Sequence, residues 1–272
     1  MKRTIETKAL SILLSIVMLM GLLPWSALTV YATGIEYNLY IGGAQVTSEA
    51  HSGDGWSFDA DTKTLTLNNF TYTGSGGDSN AAIYLGSPYW VEEAGRIRDL
   101  TINLIGDNVI TISGDNPGAY SRYGIFFLDS GTLTIEGAGN LTVTFDDTNG
   151  SPSRLNAIFC DYSTSFVMNG TGTVYAKGGH GEESRGLYWG EYGELTFNSG
   201  TFIAESVTTT DYQSTAIAGF ITVNGSDTVV KGIAPLDNGD RESTAFRNYD
   251  FMLNGGTLIA QGKTTFERQY RD

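Results

Sequence analysis

A single cysteine, Cys160, cannot form a disulfide within the chain, so the folded state has to be held by burial and backbone pairing. Histidine is almost as scarce. His51 and His180 stand far apart, which argues against a histidine-rich zinc site. Basic residues are outnumbered, 16 Lys and Arg against 30 Asp and Glu, for a net charge of −14. That imbalance repels phosphate backbones and anionic lipid heads, so it argues against nucleic acid or membrane as a partner. An anionic ligand would need a mediating cation. After residue 32 no convincing helical period occurs, and no phosphate loop, nucleophile elbow or dinucleotide fingerprint is present.

The one long apolar run lies at the start. Lys2, Arg3 and Lys8 precede an apolar stretch from Ala9 to Leu23, and Val30-Tyr31-Ala32 places small residues where a signal peptidase reads. Pro24 interrupts the run before the roughly 20 apolar residues of a membrane span. Residues 1–32 are therefore expected to be a signal peptide, and the mature chain to be secreted or held at the extracellular surface. With three bases and one acid that segment carries +2, so its removal takes the net charge from −14 to −16. The remaining residues suffice for one domain with a sizeable core.

What the sequence does contain is a repeated phrase. "LTLNN" at 65, "LTINL" at 100, "LTIEG" at 133, "FVMNG" at 166, "LTFNS" at 195, "ITVNG" at 221 and "FMLNG" at 251 recur at steps of 35, 33, 33, 29, 26 and 30 residues. Each unit alternates with period two, as in Leu133 and Ile135, then Leu141 and Val143 after a Gly-rich corner. A third short run precedes each unit: "AAIYL", "GIFFL", "NAIFC", "GLYW", "TAIA" and "TAFR". Three strands and three corners per unit predict an all-β fold, a right-handed parallel β-helix of about seven coils over residues 63–262. Residues 33–62 are expected to form a small β cap, and 263–272 a polar tail. An up-and-down β-sandwich is the competitor, but it does not need one phrase repeated in register. Asn68, Asn103, Glu136, Asn169, Asn198, Asn224 and Asn254 are expected to stack at one corner, amide upon amide.

Variable chemistry in a solenoid concentrates in its loops. Those leading into each first strand hold Asp115, Asp146, Asp147, Glu182, Glu183, Asp211, Asp237, Asp240 and Glu242. Such carboxylates suit Ca²⁺, with Asp146, Asp147, Glu182 and Glu183 as the proposed ligands, or else form a solvated acidic face. Arg122, Arg154 and Arg185, and Arg241 after them, stand shortly before the next strand, either paired with these acids or stacked as a clamp for sugar carboxylates. If Ile83, Ile125, Ile158 and Leu187 point inward, their neighbours Tyr84, Phe126, Phe159 and Tyr188 point outward as a flat aromatic platform for sugar rings. Trp90, in an insertion after the first of these strands, is a further stacking residue.

"LYIGGAQVTSE", "WSFDADTKTLTLNN", "LTIEGAGNLTV" and "FMLNGGTLIAQ" resemble the secreted carbohydrate-binding β-helix proteins of clostridial and related gut bacteria. The resemblance runs over nearly all of the mature chain, through repeat-level motifs. It implies a fold similar to polysaccharide lyases and binding of cell-wall or acidic polysaccharides with Ca²⁺ implicated; it carries over no catalytic residue. A pectate-lyase-like site could draw on Asp129, Asp161 and Glu191, but the Arg-containing strand motif is absent. A polygalacturonase-like site could draw on Asp146-Asp147 and Gly179-His180-Gly181, without the flanking motifs. Noncatalytic polysaccharide binding is the leading reading. A structural or adhesive surface solenoid and an enzyme of either type stay open, as does the oligomeric state.

Overall fold

The computed structural model describes residues 34–77, 79–114, 119–128, 131–146, 154–161, 164–189, 194–248 and 250–268. The expected signal peptide, Asp115, Asp129, Asp147 and Glu191 lie outside them. From Ile35 onward the described residues belong to one compact unit.

Among the described residues there are twenty-five strands. The chain enters through β1 (Glu36–Ile41) and β2 (Ala44–Thr47), an antiparallel pair, then β3 (Ser52–Gly53) and β4 (Trp56–Asp59), a second one. β5 (Thr64–Asn68) and β6 (Thr71–Gly74) follow, and from there the strands come in threes. These are β7 (Ala81–Leu85), β8 (Leu100–Ile105) and β9 (Asp107–Ile112), then β10 (Ser121–Phe127), β11 (Gly131–Gly137) and β12 (Asn140–Phe145). Next come β13 (Arg154–Cys160), β14 (Thr164–Met168) and β15 (Thr173–Lys177), then β16 (Glu183–Trp189), β17 (Glu194–Phe197) and β18 (Thr201–Glu205). β19 (Ser214–Ala218), β20 (Phe220–Val223) and β21 (Val229–Ile233) precede β22 (Ser243–Asn248), β23 (Phe251–Leu253), β24 (Thr257–Gln261) and a last β25 (Thr264–Arg268).

The first strand of each three joins sheet A, in the order β2-β1-β7-β10-β13-β16-β19-β22-β25; the second joins sheet B and the third sheet C. Within each sheet a strand pairs in parallel with its counterpart one turn away, so the chain is a β-solenoid. Sheet C climbs from β9 to β24 in five steps, which makes about five turns. The seven repeated phrases are the strands β5, β8, β11, β14, β17, β20 and β23, side by side in sheet B. At the first end, β1 pairs antiparallel with β7, and β4 antiparallel with β5.

Period-two alternation places one set of side chains inside. Leu133, Phe166 and Leu195 stack in one fully buried column, and Ile135, Met168 and Phe197 in the next. Thr134, Val167 and Thr196 face outward between them. The asparagine ladder forms over four turns. Asn198 Nδ2 donates to Asn169 Oδ1, Asn224 Nδ2 to Asn198 Oδ1, and Asn254 Nδ2 to Asn224 Oδ1, each at 2.8 Å. Glu136 stands in register with Asn103. Asn68 does not belong to this column: Leu65 pairs with Ile102, two residues further along than the repeated phrases suggest, so Asn68 faces Ile105. This slip moves Asn68 by two residues and therefore keeps Leu65 and Leu67 inside. The ladder amides are half-buried or exposed. Replacing Asn198 by alanine removes two ladder bonds at a wet corner, and urea unfolding is expected to give a loss of about 1 kcal/mol.

Candidate functional site

Sheet A strands carry a bend. Ala82, Ala157, Ala216 and Ala245 are fully buried, and so are their successors Ile83, Ile158, Ile217 and Phe246, so two consecutive residues of each strand face the core. Only a small residue fits the first of these positions. A Cβ on Gly124 would lie 2.1 Å from Val143 Cγ1, and one on Gly186 would lie 2.8 Å from Ala204 Cβ. The bend brings the residues on either side of the inward pair together on the outer face. Tyr123 and Phe126 stack with ring centroids 4.4 Å apart, whereas residues three apart in a straight strand point to opposite faces about 10 Å apart along it.

The outer face thus carries an aromatic row. Tyr84, Phe126, Phe159 and Tyr188 are in register across β7, β10, β13 and β16, as expected from the inward isoleucines. Their centroids are 5.2, 5.3 and 5.3 Å apart in that order. Antiparallel β1 adds Tyr40, 5.6 Å from Tyr84. Nothing in the repeat foretold this ring; the inward Leu39 and Ile41 on either side were the available signal. The rings lean on one another. Phe159 and Tyr188 are stacked at 16°, Phe126 meets Phe159 edge-on at 78°, and Tyr84 is only 7% exposed. The row is a set of overlapping shingles, not a flat pavement. Trp90 lies in the insertion between β7 and β8, on a short 3₁₀ turn, Pro88–Trp90, and is 74% exposed.

The three arginines do not form a ladder. Arg122 is in register with Leu155, Arg154 with Glu183, and Arg185 with Asn156, so each occupies a different column. Loop lengths differ from turn to turn, and distance from a strand start is therefore no measure of register. Arg122 is turned into the corner, where its Nη atoms donate to the carbonyls of Ser113 and Gly114 at 2.9 Å. Arg154 and Arg185 converge on Glu183, at 3.2 and 2.6 Å. The Arg185 guanidinium also lies 3.9 Å from the centre of the Tyr188 ring, and burial holds its pKa below the ordinary arginine value.

Of the carboxylates expected at the acidic corner, Glu183 is thus committed to two guanidinium groups. Glu182 is half-buried, and Asp146 is exposed. Among the described residues no group of three or more His, Cys, Asp and Glu side chains is placed to hold a metal ion. Beside Glu183 a groove of about 470 Å³ is lined by Asp211, Tyr212, Gln213, Asp240, Arg241 and Glu242. His180, exposed, has Nδ1 3.3 Å from the Thr208 hydroxyl. Cys160 is fully buried, which pushes its thiol far above the ordinary value and leaves it a core residue without nucleophilic character.

No family model matches the chain, and neither a curated protein nor a solved structure is similar to it. Among the described residues no helix is long and apolar enough to cross a membrane.

Proposed function

We propose that this protein holds polysaccharide outside the cell, lengthwise along the outer face of sheet A, without cleaving it. The observation that carries the reading is the unbroken row of outward rings, Tyr40, Tyr84, Phe126, Phe159 and Tyr188, one per rung beside a polar margin. Aromatic rings offer sugars an apolar face, and rungs about 4.8 Å apart advance at nearly the length of one sugar residue. Trp90 extends the stacking surface. The same reading takes the winding as right-handed, and β1 to β4 as a cap that covers strand edges at one end. All of the rings but Tyr84 are partly exposed, so affinity is micromolar or weaker.

The test is retention on a panel of immobilised neutral and acidic polysaccharides. Phe159→Leu combined with Tyr188→Leu keeps apolar volume but removes the ring faces. It is expected to abolish retention while thermal denaturation still shows a cooperative transition. Undiminished retention would discard the row as the site, and new reducing or unsaturated ends after incubation would make the protein an enzyme. A second reading, a structural or adhesive solenoid, is favoured by the stacking of the rings on one another; it predicts no retention by the wild-type chain.

Calcium is not needed for this binding as we read it, because Arg154 and Arg185 already neutralise Glu183. Melting temperatures in chelator and in millimolar Ca²⁺ are expected to coincide. A rise with the logarithm of free Ca²⁺ would instead place the ion at the acidic corner with Asp146, Asp147 and Glu182.

A further inference from the structure

We infer that the ligand of this face is a neutral, hydroxyl-rich polysaccharide rather than a uronate polymer, and that it is read by a row of three polar side chains, Asn156, Arg185 and Thr215. This rests on the polysaccharide reading above and names its substrate class.

The three residues stand in register on β13, β16 and β19, one rung apart. They occupy the outer column next to the aromatic row, as the contact of Arg185 with Tyr188 requires. Exposed by only 1%, 5% and 1%, they carry four polar atoms with no hydrogen-bond partner: Asn156 Nδ2 and Oδ1, Arg185 Nε and Thr215 Oγ1. A buried amide with neither end bonded is costly, and buried polar groups in folded chains are nearly always satisfied. Orphan atoms on three consecutive rungs of one column are groups waiting for a partner that comes from outside the chain.

The character of these atoms selects the partner. An amide and a hydroxyl both donate and accept, as a sugar hydroxyl does. A carboxylate only accepts, and it would need a guanidinium that is not already matched. Arg154 and Arg185 share Glu183, and Arg247 is held by Glu242 and Glu267, so the cluster as a whole sets three guanidinium groups against three carboxylates. A uronate would displace one of these glutamates and then meet its charge at short range. Access requires the Tyr123 and Phe159 rings, with centroids 5.2 Å apart and flanking Asn156, to part, so the row engages after the ligand has settled on the aromatic edge.

Affinity electrophoresis through gels of a neutral β-glucan, a galactomannan and polygalacturonate tests this, with the wild-type chain, Asn156→Leu and Thr215→Val. Retardation is expected in a neutral gel, stronger than in polygalacturonate, and unchanged from about 50 to about 500 mM salt. Asn156→Leu removes an unpaired amide, so its melting temperature should rise while retardation weakens about tenfold. Thr215→Val gives a smaller change in the same sense. Retardation by polygalacturonate that fades with salt would overturn the neutral assignment. Unchanged retardation of both variants in the neutral gel would overturn the row and leave the aromatic site standing. No retardation of the wild-type chain in any gel would remove the polysaccharide reading itself, and this inference with it.

Discussion

Gly172→Ala is expected to destabilise the solenoid by roughly 3 kcal/mol or more. A Cβ on Gly172 would stand 2.0 Å from the carbonyl oxygen of Gly139 and 2.7 Å from its carbon. These are backbone atoms, and neither can rotate away. The corner between sheets B and C is a column of such contacts. A Cβ on Gly139 would lie 2.7 Å from the Gly106 oxygen, and one on Gly200 would lie 2.7 Å from the Gly172 oxygen. Hydrogen bonds along the corner hold the spacing, Asn140 N to Gly106 O at 2.7 Å, Thr171 N to Gly137 O at 2.8 Å, and Thr201 N to Gly172 O at 3.1 Å. Making room for the methyl group means breaking some of these. Gly114→Ala is the comparison: φ there is +77°, but nothing lies within 4 Å of the added carbon, so only backbone strain of about 1 to 2 kcal/mol is expected. Urea unfolding followed by far-ultraviolet circular dichroism measures both. A Gly172→Ala loss no larger than that of Gly114→Ala would mean that the turns do not pack backbone to backbone at this corner.

Glu183→Gln ranks second, at about 3 kcal/mol. The carboxylate takes the Arg185 guanidinium at 2.6 Å and Arg154 at 3.2 Å, and Arg185 is buried. An amide of the same shape keeps the packing but leaves the buried cation without its counter-charge. Loss of one partner from a buried pair is far more costly than replacement of both. Glu183→Gln with Arg185→Leu is therefore expected to cost clearly less than the sum of the two single changes, a coupling of about 1 to 3 kcal/mol in a double-mutant cycle. Additive losses would show that Glu183 and Arg185 act independently, each bonded chiefly to something else.

Much of the scaffold was legible in the residues alone. The repeat and its period-two alternation named the strands of sheet B, and pairing confirms them as neighbours. The same alternation put Ile125 and Ile158 inside and Phe126 and Phe159 outside, because the inward or outward sense of a strand residue is settled by its immediate neighbours. The asparagine corner was readable for Asn169, Asn198, Asn224 and Asn254, where the phrases align without a shift.

Register and side-chain partners were decided by the tertiary structure. Asn68 left the corner because burial of Leu65 and Leu67 fixed the first rung two residues away from the alignment of the phrases. Arg122, Arg154 and Arg185 look equivalent in sequence, yet loops of unequal length deliver them to three columns, and one of them ends up bonded to turn carbonyls. The aromatic row became a leaning stack because the strand bends where small residues meet the opposite sheet, and no count along the chain reveals that curvature. Asn156 opens the run "NAIFC", and which residues stand beside it across the rungs cannot be counted along the chain. Alternation is a property of adjacent residues and can be read from sequence. Which residues share a rung depends on how complete turns settle on one another, and that is set by core packing across gaps of about thirty residues.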